Sequence, residues 1–476
     1  MMGLGLVMSR RGVERWVGVA ALGLTVSVTA FSLPAYADTL LGALTQAYGS
    51  NPSLNSQRAA VRATDENVSQ ALAGYRPKIS ATATGGEQSL STKTKIAPGI
   101  YSTLSGYNSP FQAGITATQT LFDGFQTPNR TREAESQVQA ARETLRNAEQ
   151  TVLLNAATAY MNLLRDSAIL DLQRRNVEVL QEQLRQTRDR FNVGEVTRTD
   201  VAQAESRLAA GRSQVLTAEA NYTSSKATYR QVIGSEPGKL AAGTPVDRFS
   251  PRTLAQSISV GTATNPAVTS AQFNVDVAQL AVKVAEGALY PTLSVQGSFQ
   301  KSFLAIGQLN QLESYDASLL GTLSVPIYQG GAEYSVIRQA KETLGSRRLD
   351  LDTARDQARQ NVVQAWGQLE AAKANIEATQ AQVQASEIAL NGVREEARVG
   401  QRTTLDVLNA QQELVNARVS LVSAQRDRVV ASYTLLSTVG RLSPQVLGLH
   451  VPVYDARVHY HQVRDSWAGL RTPDGR

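Results

Sequence analysis

The chain has 476 residues, of which 42% are hydrophobic and 18% are charged, with 9 Phe and 3 Trp. This composition excludes a disordered protein and favours long helices packed through small side chains over one large aromatic core. The formal net charge is +6, and the basic residues are spread along the sequence without forming a block, so nucleic acid is not predicted as a partner. The absence of Cys excludes disulfides and Cys-based metal sites.

Residues 1–37 are predicted to be a secretory signal peptide. Three Arg within residues 10–15 precede an apolar stretch at 17–33, and Ala-Tyr-Ala at 35–37 forms a small-x-small cleavage site. The apolar stretch is short for a stable spanning helix, and a retained anchor is the alternative. Processing would remove three Arg and one Glu, which changes the net charge from +6 to +4.

The rest of the chain contains a two-fold internal repeat. Short motifs recur in order, with an offset of 214 residues up to Pro77 and 206 residues after Gly124. The matched pairs are Asn51-Pro52 with Asn265-Pro266, Pro77 with Pro291, Val193-Gly194 with Val399-Gly400, Asp200-Val201 with Asp406-Val407, and Ile233-Gly234 with Val439-Gly440. Because the offset changes once, one loop of the first half is longer. We predict a first repeat at 38–234, a linker at 235–262, a second repeat at 263–440 and a tail at 441–476.

Each repeat is predicted to begin with a helix that ends before Pro77 or Pro291, since the residue before proline is pushed out of the helical region. Two stretches with a two-residue period follow, which indicates two strands with one apolar and one polar face. Gly124 and Gly330 then mark the change from strand to helix. We therefore predict four strands per chain, with these four residues at the junctions.

Long helices are predicted at 127–191 and 332–398, where apolar residues recur near every seventh position. About 65 residues at 1.5 Å each give roughly 100 Å, about three times the hydrocarbon thickness of a membrane. These helices are too polar for lipid, so they must project into water. They end at Gly194 and Gly400, and a capping-box sequence, Thr-x-x-Asp, starts a second helix after each glycine. Two helical hairpins with tight distal turns are the prediction.

Four strands of about ten residues are long enough to cross a membrane when tilted, but they cannot close a barrel. An open edge in lipid leaves backbone groups unpaired, so a membrane barrel would have to be shared between chains. Two chains would give eight strands with a filled interior, whereas three would give twelve and leave a channel. Three or four copies are allowed, and a trimer is the economical choice. A soluble four-stranded sheet is the alternative.

The sequence resembles the TolC family of outer-membrane efflux and type I secretion channels. The motifs that carry the resemblance are Pro-Ile-Tyr-Gln-Gly-Gly at 326–331, Arg-Phe-Asn-Val-Gly at 190–194, and residues 399–408. The resemblance implies an α+β membrane protein, in which a trimeric twelve-stranded β-barrel continues as a long α-helical coiled-coil tunnel in the periplasm. It also implies that 235–262 and the tail after Arg441 form a belt around the tunnel.

The resemblance further implies a pore constriction at the hairpin tips. Asp200 and Arg402 match a tie between adjacent protomers, and Asp406 matches an acidic ring. Ala397 replaces a tyrosine of the family's constriction, and Asn409 replaces a second acidic residue. We therefore expect a looser closed state and a weaker acidic ring.

Helix capping is the alternative explanation for Asp200 and Asp406, because each is the third residue of a capping box worth about 1 kcal/mol. Arg402 differs, since its equivalent in the first repeat is Val196 and no local rule requires an arginine there.

The predicted function is passive conduction across the outer membrane of a Gram-negative cell. A periplasmic adaptor and an inner-membrane transporter of the RND or ABC class would deliver the substrate, either drugs or secreted proteins. No catalytic residue, cofactor or metal is predicted, and His459 and His461 are expected to be exposed in the tail. A periplasmic coiled-coil adaptor is the alternative, although it would not explain four alternating stretches placed symmetrically before the hairpins.

Overall fold

The computed structural model describes residues 38–306 and 310–475, so the predicted signal peptide lies outside the described part. Ten helices and six strands occur within those ranges. In chain order they are α1 (Leu40–Ser50), α2 (Pro52–Leu72), β1 (Lys78–Gly85), β2 (Gln88–Ala97), β3 (Ile100–Asn108), β4 (Phe111–Asp123), α3 (Gln126–Asn192), α4 (Arg198–Ile233), α5 (Leu254–Thr264), α6 (Pro266–Gly287), β5 (Thr292–Ile306), β6 (Asn310–Ser324), α7 (Ala332–Arg398), α8 (Thr404–Thr438), α9 (Pro444–Leu447) and α10 (Ala456–Val463).

The two long helical hairpins are confirmed. Helices α3 and α7 have 67 residues each, and each packs against the shorter helix that follows it, α4 or α8. Pro128 lies within the first turn of α3, where a missing N–H group costs no helical hydrogen bond. At 1.5 Å per residue the long helices measure roughly 100 Å, as the sequence indicated.

The first half differs from the prediction, because it contains four strand segments rather than two. Strands β1 and β2 form one arm, interrupted at residues 86 and 87, and β3 and β4 form the other, interrupted at 109 and 110. Pro110 has no N–H group to donate across the pair, which explains the break, and its carbonyl instead accepts a bond from Gly86 N at 3.2 Å. The additional β2–β3 hairpin occupies the longer loop that the change of offset predicted.

An Asn-Pro pair divides the first helical segment of each half in the same way. Asn51 Oδ1 accepts from Ser53 N at 3.0 Å and caps α2, while its Nδ2 donates to the carbonyl of Val232 at 3.0 Å. Asn265 Oδ1 accepts from Ala267 N at 2.9 Å, and its Nδ2 donates to the carbonyl of Thr438 at 3.0 Å. One amide thus starts a helix and fastens it to the returning arm of a hairpin.

The largest apolar core lies where α1, α3, α4 and α8 meet, around the buried rings of Tyr48, Tyr160, Tyr229 and Tyr433. The Tyr160 hydroxyl lies 2.6 Å from the carbonyl oxygens of both Asp38 and Ala241. Burial raises the pKa of Tyr160 to about 12, so this hydroxyl remains a donor at any physiological pH. The segment after α4 is therefore fixed against the hairpin bases.

The expected exposure of His459 is wrong. His459 lies on α10, is buried, and its Nδ1 is 3.0 Å from Oδ2 of Asp65 on α2. Desolvation raises the pKa of the fully buried Asp65 carboxyl, while bonding to His459 opposes that rise. This long-range pairing fastens the tail to the first repeat, and no local sequence pattern could indicate it.

Replacing Asn265 with Asp keeps the oxygen that caps α6 but removes the amide donor to the carbonyl of Thr438. We expect the free energy of unfolding to fall by about 1 kcal/mol, since one partly buried hydrogen bond is lost. Asn51→Asp should behave alike because its contacts are equivalent. Circular dichroism melting at 222 nm measures the effect, with Asn274→Asp, an exposed site on α6, as the control. Equal midpoints for Asn265→Asp and the control would contradict the role of this bond.

Candidate functional site

Over its central rows the sheet places apolar side chains on one face and polar side chains on the other. Its core order is β1-β4-β5-β6, all antiparallel, and directly paired residues share a face. One such row joins Ala81, Ile115, Phe299 and Ala317. The adjacent row on the other face joins Ser80, Thr116, Ser298 and Ser318. This alternation suits a wall with hydrocarbon on one side and water on the other.

Side chains on the polar face bond to one another across the strands. The hydroxyl groups of Ser298 and Ser318 are 2.7 Å apart, and those of Ser302 and Ser314 are 2.6 Å apart. On the apolar face, large side chains such as Ile79, Leu319 and Leu323 are more than 60% exposed within the single chain. So large an apolar surface is unusual for a soluble monomer and indicates contact with lipid or another chain.

The two outer strands of the sheet, β1 and β6, each pair with one neighbour. β1 pairs only with β4, and β6 pairs only with β5, within residues 38–306 and 310–475. Each outer strand therefore presents a row of backbone N–H and C=O groups without a strand partner in this chain. The sheet is an open segment of a larger structure.

The helices have a different character from the sheet. Among the described residues, no helix combines the length and the apolar composition needed to cross a membrane. The same part of the chain contains no group of three His, Cys, Asp or Glu side chains arranged to hold a metal ion.

The predicted junction residues all lie between strands and helices. Gly124 separates β4 from α3 with a φ of 67°, and a Cβ atom there would lie 2.2 Å from the carbonyl oxygen of Gly287. Gly330 precedes α7 with a φ of 72°. Pro77 and Pro291 immediately precede β1 and β5. Only glycine fits at Gly124, because the two halves of the repeat touch there through their backbones.

The hairpin tips are built from local interactions between residues close in the sequence. Gly194 and Gly400 adopt φ values of 79° and 80°, the left-handed region that closes a helix. In the second hairpin the Thr403 hydroxyl donates to Asp406 Oδ2 at 2.9 Å and accepts from Asp406 N at 3.2 Å. Thr197 and Asp200 repeat this arrangement, with the hydroxyl 2.7 Å from Asp200 Oδ2.

Hydrogen bonds lower the pKa of the aspartate carboxyl group at each hairpin tip. Bonds from Thr197 and Thr403 hold the pKa of Asp200 and of Asp406 below their usual range. The lowered pKa values mean that the ionised carboxylates stabilise the helix caps at neutral pH. This stabilisation is lost only as the pH falls below the ordinary pKa of aspartate towards the lowered pKa. Helix capping therefore accounts for the contacts of both aspartates within the chain.

The remaining predicted residues make contacts that the sequence did not indicate. Arg402 Nε donates to Glu396 Oε2 at 2.8 Å, within its own hairpin, and this bond raises the arginine's pKa. Asn409 Oδ1 accepts from Nη2 of Arg207 at 2.7 Å, which joins the second hairpin to the first. Ala397 is half-buried in the last turn of α7. Glu396 was missed because its bond to Arg402 spans the hairpin turn. Arg207 was missed because its contact with Asn409 joins two separate hairpins.

Replacing Thr403 with Val removes the hydroxyl that both donates to and accepts from Asp406, while retaining the size of the side chain. We expect the first turn of α8 to fray and protease cleavage near Gly400 to accelerate severalfold at neutral pH. Limited proteolysis followed by mass spectrometry measures the rate. Thr403→Ser, which keeps the hydroxyl, serves as the control; unchanged cleavage in Thr403→Val would show that the cap does not hold the tip.

Comparison with known proteins connects these features. The family model described as outer membrane efflux protein matches residues 43–235 and 258–441. The chain is 42% identical to outer membrane efflux protein BepC of Brucella suis biovar 1, over 96% of this chain and 97% of that protein. It is 28% identical to outer membrane protein TolC of Escherichia coli K12, over 89% and 86% of the two chains. The CmeC outer membrane channel of Campylobacter jejuni shares the fold, with a TM-score of 0.74 at 17% identity over 90% of this chain and 89% of that chain.

These matches confirm the resemblance to TolC-type channels and the location in the outer membrane. They also agree with the geometry, in which a two-faced open sheet continues into long polar helical hairpins. The chain belongs to the outer membrane efflux protein family.

Proposed function

We propose that three copies of this chain close one twelve-stranded barrel and form a continuous duct, which conducts substrates passively from the periplasm to the exterior. The observation that carries the proposal is the core of the sheet, β1-β4-β5-β6, which is apolar on one face and polar on the other and in which β1 and β6 each have one edge without a strand partner in this chain. Three sheets joined β1 to β6 would place every apolar face outward and every polar face towards a lumen.

The barrel must close because a sheet edge left open in lipid costs free energy. Each unpaired backbone group in hydrocarbon costs several kcal/mol, and β1 alone has eight residues. Pairing β1 of one protomer with β6 of the next removes this cost around the ring. Twelve strands leave an interior that side chains do not fill, whereas eight would be nearly filled.

The boundaries of the repeats fit the same assembly. We assign 38–234 and 263–440 to the two repeats, and 235–262 and 441–476 to a belt around the helices. Contacts support the belt: Arg428 on α8 bonds Asp247 of the linker at 3.1 Å, and α10 of the tail packs on α2. The belt would hold six hairpins together midway along a tunnel in the periplasm.

The duct requires partners to supply substrate and energy. The sequence has no phosphate-binding motif, so we propose that an inner-membrane RND or ABC transporter drives export through a periplasmic adaptor that binds the hairpins. Polar, exposed residues dominate the outer turns of both hairpins, as a docking surface in water requires. Drug efflux and type I protein secretion both suit a duct of this form.

The proposed gate lies at the hairpin tips, where Arg402 of one protomer would bind Asp200 of the next and Asp406 would line the pore. Asp200 uses Oδ2 for its cap, and Arg402 uses Nε for Glu396. Oδ1 of Asp200 and the two Nη groups of Arg402 are therefore left for a second partner. Asn409 and Ala397 weaken the constriction, because Asn409 is neutral and Ala397 has no ring to pack.

Cysteine pairs test the barrel directly, since the chain has no native Cys. Ala81→Cys on β1 should form a disulfide with one of Ala317→Cys, Leu319→Cys or Gly321→Cys on β6 of the next protomer, because directly paired Cβ atoms lie close enough. Non-reducing gels should show covalent dimers and trimers. The control is Ala81→Cys with Thr322→Cys, on the opposite face.

The pattern of bands distinguishes the assemblies. Head-to-tail linkage in a closed ring of three stops at the trimer, whereas a ring of four would add a fourth band. Monomers alone with all three pairs would contradict the shared barrel.

Single-channel conductance tests the gate. Arg402→Ala should raise the conductance of the closed channel in a planar bilayer, because the tie to Asp200 of the next protomer is lost. Glu396→Gln is the matched control, since it removes the charge that pairs with Arg402 within the hairpin and leaves that tie in place. If Glu396→Gln opens the channel as much as Arg402→Ala, or if Arg402→Ala has no effect, Arg402 acts only within its own hairpin.

A further inference from the structure

The C-terminal segment at 466–471 carries large apolar and basic side chains into solvent beside the start of the barrel. We propose that this segment, with Arg76 and Lys78, forms a binding site for anionic phospholipid headgroups at the periplasmic rim of the barrel. The inference rests on the proposed barrel, because it needs the inner leaflet of the outer membrane to lie at the level of β1's first residue.

Hydrogen bonds fix the segment at that level. Arg76 Nη1 donates to the carbonyl of Ser466 at 2.5 Å, and the Ser69 hydroxyl donates to the same carbonyl at 3.3 Å. Arg76 lies two residues before Lys78, the first residue of β1. The tail therefore reaches the point where the chain passes from helix to barrel strand.

The helix that precedes the segment anchors it on the helical side. His459 on α10 pairs with the buried Asp65, and Arg464 lies 3.7 Å from Glu135 of α3. Arg142 lies over the Tyr460 ring at 5.1 Å. With α10 held in this way, the segment starts from a fixed point at Ser466.

The exposed side chains have the chemistry of a membrane interface. The Arg76 guanidinium lies 4.8 Å from the centre of the Trp467 ring, yet the Trp467 side chain is 73% exposed. Leu470 is completely exposed, and Tyr75 and Tyr290, which precede Pro77 and Pro291 closely, are each about half exposed. Tryptophan and tyrosine favour the headgroup level, where the ring is apolar and one atom bonds to water or lipid.

Charge decides which headgroups fit. Lys78 and Arg471 are exposed and Arg76 is half-buried against the Trp467 ring, while the acidic Asp465 lies 3.9 Å from Arg464. An excess of positive charge beside an interfacial aromatic ring attracts anionic phospholipids. An arginine stacked on the ring also directs its N–H groups towards a phosphate, which it can bind in bidentate fashion.

The tryptophan content of the chain makes the site directly observable. Trp16, Trp366 and Trp467 are its three tryptophans. Trp16 lies in the predicted signal peptide, so two single-tryptophan forms of the processed chain follow: one carries Trp366→Phe and the other Trp467→Phe. Trp366 is the matched control because it lies on α7, roughly 50 Å along the helix from its start at 1.5 Å per residue, among the buried side chains around Val362.

Each protein is reconstituted into vesicles of phosphatidylcholine whose acyl chains carry bromine near the headgroup. We expect the fluorescence of Trp467 to be quenched and blue-shifted, and that of Trp366 to be unchanged. Equal fluorescence of Trp467 with and without bromine, in vesicles where the channel conducts, would overturn the inference while leaving the barrel intact. Absence of conductance and of quenching would instead overturn the barrel, and the inference with it.

The preference for anionic lipid is tested in the protein whose only tryptophan is Trp467. Adding brominated phosphatidylglycerol in place of part of the phosphatidylcholine should increase the quenching. Arg76→Gln should abolish that increase, while Arg76→Lys, which keeps the charge, should retain part of it. Equal quenching by both lipids in the protein that retains Arg76 would show that the segment contacts the membrane without recognising the charge of the lipid.

Discussion

Backbone pairing in lipid is the constraint on which the rest of the structure depends. Strands β1 and β6 end the sheet with unpaired N–H and C=O groups, which hydrocarbon cannot satisfy. The chain therefore needs copies of itself, and their number sets the width of the lumen. Both faces of the sheet already match such an assembly, since rows of Ala, Ile and Phe alternate with rows of Ser, Thr and Gln.

The internal repeat connects the barrel strands to the helices in the periplasm. Each barrel hairpin passes directly into a helical hairpin, and Gly124 meets Gly287 where the two halves touch. Asn51 and Asn265 fasten the incoming helices to the returning arms by equivalent bonds. The tips depart from this symmetry, because Arg402 replaces the Val196 of the first hairpin and Arg207 bonds to Asn409 across the two hairpins. The proposed gate lies at this point, where the two hairpins differ.

The features that could be predicted from the sequence are those that depend on interactions between residues close together in the chain. Hairpin ends and strand–helix junctions depend on residues within one turn of each other, such as Thr403 with Asp406 or Gly400 after α7, and these were predictable. Strands β2 and β3 were not, because the breaks at Gly86 and Pro110 are visible only once the arms are paired. Contacts between distant segments, such as His459 with Asp65 and Arg207 with Asn409, depend on the complete fold.

Closure of this sheet in threes can be measured by native mass spectrometry of the complex extracted from outer membranes. We expect a single species with three times the mass of the processed chain, which falls to one chain only on denaturation. A complex of one, two or four chains that still conducts in a planar bilayer would contradict it.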